Sequence, residues 1–202
     1  MQFYKFIFLF SCLVTMSSNL FAEKLSISTL SSYLNELVTL QAKFTQINSD
    51  GSLSTGSVFI KRPGRVRFEY DPPNDALVLA SAGQLAIFDP SGNPAPERYP
   101  LSKTPLALIL AEKVNLAQNR MVKSHKFDGT STVLSIQDPQ NPEYGRMALV
   151  FTGPKPQLRQ WVIEDQSGEE TVVVLNEMTT GVVLEERLFN IVFSQQQRMR
   201  MQ

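Results

Sequence analysis

The 202-residue sequence predicts an α+β fold, with one large curved antiparallel sheet of about ten strands and its helices on one side. Segments with period-two alternation follow one another along the chain and do not alternate with helices. Helical patterns are few and include one short stretch that is apolar on nearly every side. A sheet of this size curls, so helices laid across its concave face enclose an apolar space.

The first 22 residues have the features of a secretory signal peptide. Lys5 supplies the positive charge, and Phe6–Met16 form an apolar stretch that is too short to span a bilayer. We predict cleavage after Ala22, which leaves residues 23–202 as a single domain. An uncleaved membrane anchor is the alternative interpretation of this segment.

The single cysteine, Cys12, lies inside that apolar stretch. Cleavage would therefore leave a mature chain without a thiol, a disulfide or a cysteine metal ligand. A lipobox ending at Cys12 is a weaker alternative, because Phe10 fits the motif poorly and the apolar run continues beyond the cysteine.

Acidic and basic residues balance, with 19 of each and no run of like charge. Binding to nucleic acid requires a concentrated basic patch, so the composition argues against a nucleic-acid partner. The same balance argues against electrostatic attachment to an anionic membrane surface.

The mature chain begins with a helix and a strand. Apolar residues at three- and four-residue spacing predict an amphipathic helix over Ser28–Leu37, capped by Ser26 or Ser28. Alternation then predicts a strand over Leu40–Gln46. Asn48–Gly51 is a strong turn signal.

A hairpin is predicted over Gly56–Pro73, with its corner at the Pro63-Gly64 pair. Its apolar members are Val58, Ile60, Val66, Phe68 and Tyr70. Arg62 shares the parity of Ile60 at the end of the first strand. Its guanidinium is therefore expected at the rim of an apolar surface.

The middle of the chain combines short strands with a short helix. Strands are predicted over Leu77–Ser81 and Leu85–Asp89, and the proline-rich stretch from residue 90 to 100 is predicted to be a loop. The Thr104-Pro105 pair, as N-cap and first helical residue, begins an apolar helix over Leu106–Ala111.

The second half is almost wholly strand after a further helical turn predicted over Asn115–Gln118. Strands are predicted over Met121–Phe127, Val133–Gln137, Arg146–Phe151, Leu158–Asp165, Thr171–Asn176 and Ile191–Phe193. One helical turn is predicted over Glu185–Leu188. Residues 194–202, which are rich in glutamine, are predicted to be irregular or a weak final strand.

No arrangement of reactive side chains stands out. The sole histidine, His125, has no triad partners in a recognisable order, and a lone histidine without cysteine does not predict a metal site. Paired carboxylates occur at Glu164-Asp165, Glu169-Glu170 and Glu185-Glu186, at predicted turns and strand ends where charge is ordinarily solvated. Tyr70 and Trp161 are more typical of packing than of a site.

This profile favours binding of an apolar ligand over catalysis, with no metal and no cofactor. Exposing one acyl chain of about 14 methylenes to water costs on the order of 11 kcal/mol, at ~0.8 kcal/mol per methylene. An enclosed pocket recovers most of this free energy, whereas a flat patch recovers little. A periplasmic hydrolase that uses Glu164 or Glu170 is the alternative from another class.

Three stretches carry a resemblance to a known family: FTQ at Phe44–Gln46, KRPGRVRFEYDPP at Lys61–Pro73 and TPLALIL at Thr104–Leu110. Together they resemble the periplasmic outer-membrane lipoprotein carrier family, LolA. The segment Leu158–Ile191 is similar to the C-terminal half of its alphaproteobacterial members. Phe68 departs from the tryptophan that the family often has there, and the short C-terminal tail departs from the family's extra terminal strand.

The resemblance implies a half-barrel sheet with a helical lid over its concave apolar face. It implies a periplasmic chaperone that takes acylated lipoproteins from an inner-membrane ABC transporter complex to an outer-membrane acceptor, without a cofactor or bond-making chemistry. Arg62, at the family's important arginine position, is then expected to hydrogen-bond the lid and hold the empty cavity closed. We expect a monomer.

Strand parity and helical faces select the side chains expected to line the cavity. They are Leu30, Leu34, Val58, Ile60, Val66, Phe68, Leu106 and Ile109. Two alternatives keep the fold: a periplasmic carrier of phospholipid or glycolipid, and a lipid-anchored outer-membrane acceptor.

Overall fold

Apolar side chains alternate along the strands and bury one face of a continuous sheet. The structure, a computed structural model, describes residues 23–89, 95–117 and 120–201, so the predicted signal peptide and its cleavage site lie outside the described residues. The strands are β1 Thr39–Ile47, β2 Leu53–Lys61, β3 Arg65–Tyr70, β4 Leu77–Ser81, β5 Gln84–Phe88, β6 Glu97–Pro100, β7 Val122–Phe127, β8 Ser131–Gln137, β9 Arg146–Thr152, β10 Gln157–Glu164 and β11 Glu170–Thr180.

The helices of the described chain are α1 Ile27–Glu36, α2 Leu106–Leu110 and α3 Ile191–Met201. Single 3-10 turns lie at Leu101–Lys103, Pro142–Tyr144 and Glu186–Phe189. The side chain of Ser26 accepts a hydrogen bond from the Thr29 N–H and caps α1, as predicted.

The strands form one antiparallel sheet in the order β6-β5-β4-β3-β2-β1-β11-β10-β9-β8-β7. Consecutive strands pair throughout the described sheet except β6 and β7, which lie at its opposite borders. β1 pairs with both β2 and β11 and so joins two meanders. This large antiparallel sheet with few helices confirms the predicted fold class.

The two faces of the sheet carry different helices. Leu30 and Leu34 of α1 and the buried side chains of α2 belong to one apolar cluster with the inward residues of the strands. On the opposite face, Ile191 of α3 packs in a second cluster with Leu77, Leu79, Ala86 and Phe88. In β4 the two clusters use alternate residues, as period-two side-chain direction requires.

The C-terminal prediction was wrong, because Ile191–Phe193 and the tail after them form α3 and not a strand. The side chain of Asn190 accepts from the Phe193 N–H at 2.9 Å, and its backbone oxygen accepts from the Ser194 N–H at 3.0 Å. An asparagine cap and the burial of Ile191 therefore override the β propensity of this apolar run.

Three other predictions in the middle of the chain were wrong. Glu97–Pro100, predicted as loop, is the edge strand β6, which pairs with β5 although all its residues are exposed. Residues 116 and 117 form a turn, residue 115 is irregular, and Gln118 lies outside the described residues, so no helical turn is found here among the described residues. Thr104 does not cap α2 with its side chain, because its hydroxyl donates to the Leu101 oxygen.

Candidate functional site

The corner between β2 and β3 sets the position of Arg62. The ladder pairs Ile60 with Val66 and Lys61 with Arg65, so Arg62 is the first residue beyond it. Gly64 has a φ of +71°, a conformation that favours glycine. The corner is therefore a tight turn that presents Arg62 at the end of the buried face.

The side chain of Arg62 reaches two helices at once. It donates from Nη1 to the Leu34 oxygen in the last turn of α1, and from Nε to the Ala111 oxygen at 3.1 Å. Nη2 adds bonds to the oxygens of Ala111 at 2.5 Å and Glu112 at 3.4 Å. The guanidinium, with five N–H donors in a fixed fork, is well suited to serve three backbone oxygens at once.

Backbone bonds of the same corner repeat this connection. The Arg62 N–H donates to the Val38 oxygen at 2.8 Å, just after α1, and the Gly64 N–H donates to the Leu110 oxygen at 2.8 Å, at the end of α2. We call α1, α2 and residues 111–116 the lid. The lid has two halves, α1 on one side and α2 with residues 111–116 on the other. Through the Arg62 side chain and these backbone bonds, the hairpin corner is hydrogen-bonded to both halves.

The electrostatic surroundings of Arg62 are unusual for an arginine. It is 7% exposed, and within the described ranges it makes no ion pair. Burial lowers the pKa of Arg62 from the ordinary arginine value, yet a guanidinium stays protonated. The carbonyl ends of α1 and α2, where backbone dipoles point negative, face this charge in place of a carboxylate.

The two halves of the lid are also joined to each other. Asn35 donates from Nδ2 to the Val114 oxygen at 2.9 Å, and the Val114 N–H donates to Asn35 Oδ1 at 2.9 Å. One turn earlier, Ser31 Oγ accepts from the Leu116 N–H at 3.2 Å. We call these bonds the Asn35 clasp. Sequence analysis missed it, and its only signal is a pair of polar residues four apart on one helix.

The side chains expected to line a cavity lie together in one continuous apolar cluster under the lid. Each of them is at most 7% exposed. The cluster includes Leu30, Leu34, Val58, Ile60, Val66, Phe68, Leu106 and Ile109. In this closed arrangement the lid's own leucine and isoleucine side chains pack against the strands.

An aromatic row crosses the concave face beside these residues. The rings of Phe44 and Phe68 meet edge to face at 5.4 Å, and the rings of Phe68 and Trp161 at 6.1 Å. Tyr70 continues the row against Phe44 at 5.1 Å and donates its hydroxyl to Gln46 Oε1 at 2.7 Å. Burial raises the pKa of Tyr70, so it remains a neutral donor.

The outer face of the same hairpin is held by the C-terminal segment. Glu186 pairs with Lys61 at 2.7 Å and with Arg65 at 2.7 Å, and these bonds lower the pKa of the Glu186 carboxyl. Arg67 donates to the Leu188 oxygen at 2.9 Å and to Ser194 Oγ at 3.1 Å. Arg65 and Arg67 of β3 therefore bind the C-terminal segment, whereas Val66 and Phe68 are buried under the lid.

Among the residues considered for catalysis, Glu164 and Glu170 are cross-strand partners at the ends of β10 and β11, and His125 and Glu164 each have another hydrogen-bond partner. His125 Nε2 shares a hydrogen bond with the Leu25 oxygen at 2.8 Å, and Glu164 accepts from Arg146 Nε at 2.6 Å. Over the described ranges, histidine, cysteine and acidic side chains nowhere form a group of three or more suited to a metal ion. None of the described helices has the length and apolarity needed to cross a membrane.

Comparison with known proteins finds relatives that match most of the chain. An outer-membrane lipoprotein carrier protein from Methylococcus capsulatus is 26% identical over 176 residues, which cover 83% of this chain and 84% of the relative. The corresponding protein from Legionella pneumophila is 28% identical over 189 residues, covering 90% and 92%.

The fold comparison points the same way. The crystal structure of a putative outer membrane lipoprotein-sorting protein domain from Vibrio parahaemolyticus has a TM-score of 0.51 at 14% identity, and the match covers 85% of this chain and 98% of that one. The family model for outer membrane lipoprotein carrier protein LolA matches residues 35–192. The chain belongs to the LolA family of outer membrane lipoprotein carrier proteins.

Proposed function

We propose that the chain is a periplasmic chaperone that binds the acyl chains of lipoproteins beneath the lid and carries them to the outer membrane. The observation that carries this proposal is the bonding of Arg62 to both halves of the lid above a wholly apolar cluster. A lid held by a few bonds to backbone oxygens can lift and close again, because water replaces those bonds in the open state.

The free energies of acyl-chain burial and of the Arg62 hydrogen bonds favour exchange between a closed empty form and an open loaded form. One acyl chain of about 14 methylenes gains on the order of 11 kcal/mol when it leaves water. A hydrogen bond from a charged donor contributes about 1.5–3 kcal/mol. A bound acyl chain can therefore offset the loss of the Arg62 bonds, while these bonds return the empty lid to its closed position.

Family membership supports a set of partners. We infer that an inner-membrane ABC transporter complex supplies the acylated lipoproteins and the energy for their extraction, and that an outer-membrane lipoprotein acceptor receives them. The carrier acts as a monomer, needs no cofactor and makes or breaks no covalent bond. Arg62 is the lid-locking residue, and the eight cavity candidates of the apolar cluster contact the acyl chains.

Release from spheroplasts tests the proposal. The purified chain 23–202 is added to spheroplasts that contain a tagged lipoprotein, and the soluble fraction is then analysed. We expect the tagged lipoprotein to leave the membrane in complex with the added protein. Absence of any released lipoprotein would refute the carrier function.

Mass spectrometry of lipid that co-purifies with the protein separates the two cargo classes. Lipopeptide is expected, whereas phospholipid or glycolipid alone would favour the alternative carrier. N-terminal sequencing of protein isolated from the periplasm is expected to begin at Glu23 without an acyl group. An acylated cysteine at the N-terminus would instead indicate a lipid-anchored acceptor.

A further inference from the structure

Trp161 carries a buried hydrogen-bond donor that nothing in the described protein satisfies. It is the only tryptophan of the chain, and its side chain is 0% exposed. In the described part of the chain, its Nε1 is the single buried side-chain nitrogen or oxygen without a hydrogen-bond partner. Such a group in a native structure calls for an explanation.

The position of Trp161 places this donor in the apolar cluster under the lid. Trp161 lies in β10, paired with Leu149 of β9 and Val173 of β11, and all three are buried members of the cluster. Its ring packs edge to face on Phe68, one of the cavity candidates, at 6.1 Å. The indole therefore lies on the concave face, within the paired part of β9, β10 and β11.

Packing of the ring does not account for the buried N–H of the indole. A phenylalanine would also pack edge to face on Phe68 and would bury no donor, whereas an unmet N–H in an apolar interior is unfavourable. Buried tryptophan nitrogens ordinarily find an acceptor. The missing acceptor is thus expected to arrive with a ligand that enters the cluster.

We propose that Trp161 Nε1–H donates a hydrogen bond to an ester carbonyl oxygen of the bound acyl chains, an inference that rests on the proposed function. Acyl chains are apolar along their length, and their ester carbonyls are the acceptors nearest to the methylenes. The donor thereby fixes how deeply the chains insert and distinguishes acyl esters from alkyl ethers. Lipoproteins and phospholipids share this ester chemistry.

The first test compares ester with ether probes on the wild-type protein. The probes are a synthetic lipopeptide with two ester-linked palmitoyl chains, its counterpart with two ether-linked hexadecyl chains, and phosphatidylglycerol in the same two forms. We expect the ester lipopeptide to bind about tenfold more tightly than the ether lipopeptide. Equal affinities for the two lipopeptides would overturn the role of Trp161 and leave the carrier function intact.

The second test uses the fact that one tryptophan gives one indole N–H resonance in a ¹H–¹⁵N spectrum. We expect the indole proton to move downfield on addition of the ester lipopeptide but not of the ether lipopeptide. Identical shifts with both probes would contradict the assignment. This measurement needs no variant, so it does not depend on the folding of a mutant.

Trp161→Phe removes the donor and keeps an aromatic ring. We expect the variant to lose the ester preference while it still binds both lipopeptides. Tyr70→Phe is the matched control, because its hydroxyl is already bonded to Gln46 and its loss should leave the ester preference intact. An ester preference that persists in Trp161→Phe would overturn the proposal.

The phospholipid probes separate this inference from the proposed function. If neither lipopeptide binds, and phosphatidylglycerol binds with a preference for its ester form, the result would support Trp161 as the ester donor but reject lipoprotein as the cargo. Binding of none of the four probes would reject the carrier function and the role of Trp161 together.

Discussion

Arg62 and Leu34 lie 28 positions apart in the chain, yet the guanidinium of the first donates to the backbone oxygen of the second at the end of α1. The same guanidinium binds the Ala111 oxygen, 49 positions further on, at the end of α2. One side chain at a hairpin corner therefore binds the ends of two helices that are far apart in the sequence.

Arg62→Leu should bind cargo but fail to hand it on. The closed lid loses its charged donors, whereas the open, loaded state loses nothing, so the balance shifts toward the loaded state. Loss of roughly 1.5 kcal/mol corresponds to about tenfold slower release. Transfer of a tagged lipoprotein from carrier to outer membranes measures this rate. Arg65→Leu is the control, because Arg65 lies on the opposite face of the corner and binds Glu186. Transfer by Arg62→Leu at the wild-type rate would remove Arg62 from the mechanism.

Asn35→Ala should loosen the lid without touching Arg62. The substitution deletes both bonds of Asn35 to Val114, at about 0.5–1.5 kcal/mol each. Hydrogen exchange at the Val114 amide is expected to accelerate about tenfold. Ser32→Ala is the matched control, because Ser32 is an exposed residue of the same helix and both changes raise helix propensity. Equal protection of the Val114 amide in the two variants would contradict the clasp.

Glu186→Gln should lower stability at neutral pH but not in acid. The folded-state pKa of Glu186 is depressed by Lys61 and Arg65, so its contribution is present above the ordinary glutamate pKa. That contribution is lost as the pH falls through the depressed value. The urea midpoints of variant and wild type should therefore converge on acidification. Glu143→Gln is the control, because it removes a carboxylate outside the described ion pairs and should show no such convergence. A difference in urea midpoint between Glu186→Gln and wild type that stays constant with pH would contradict this role of Glu186.

Gly56→Ala should destabilise the β2–β3 hairpin. A Cβ at this position would fall inside contact distance of the Glu69 oxygen and 2.7 Å from Phe44 Cε1, with no flexible neighbour to yield. Overpacking of this kind costs about 1–3 kcal/mol. Urea unfolding measures the effect, and Gly153→Ala is the control because its Cβ meets Leu25 at an ordinary 3.5 Å. Similar unfolding midpoints for the two variants would show that the hairpin adapts.

The alternation of apolar and polar residues predicted the β2–β3 hairpin, because a strand that buries one face places every second side chain in the core. The same parity placed Arg62 at the rim of the buried face, where the structure has it. By contrast, α3 could not be predicted from β-branched and aromatic residues at its start, since the Asn190 cap and the packing of Ile191 decide its conformation.

Other parts of the site leave almost no trace in the sequence. The partners of Asn35 and Arg62 are backbone groups, which carry no residue-specific signal. β6 has neither alternation nor buried side chains, and only its pairing with β5 makes it a strand. The unpaired donor of Trp161 could be recognised only once its surroundings were known.

The strand order has a consequence for self-association. In the described sheet, β6 and β7 each have a partner on one side only, so the sheet has two free borders where a closed barrel has none. β6 offers Glu97, Arg98 and a proline, and β7 offers Lys123 and Lys126. Charges and proline resist the addition of a foreign strand. A sheet that is not closed into a barrel thus carries, in its outermost strands, its own protection against growing into an aggregate.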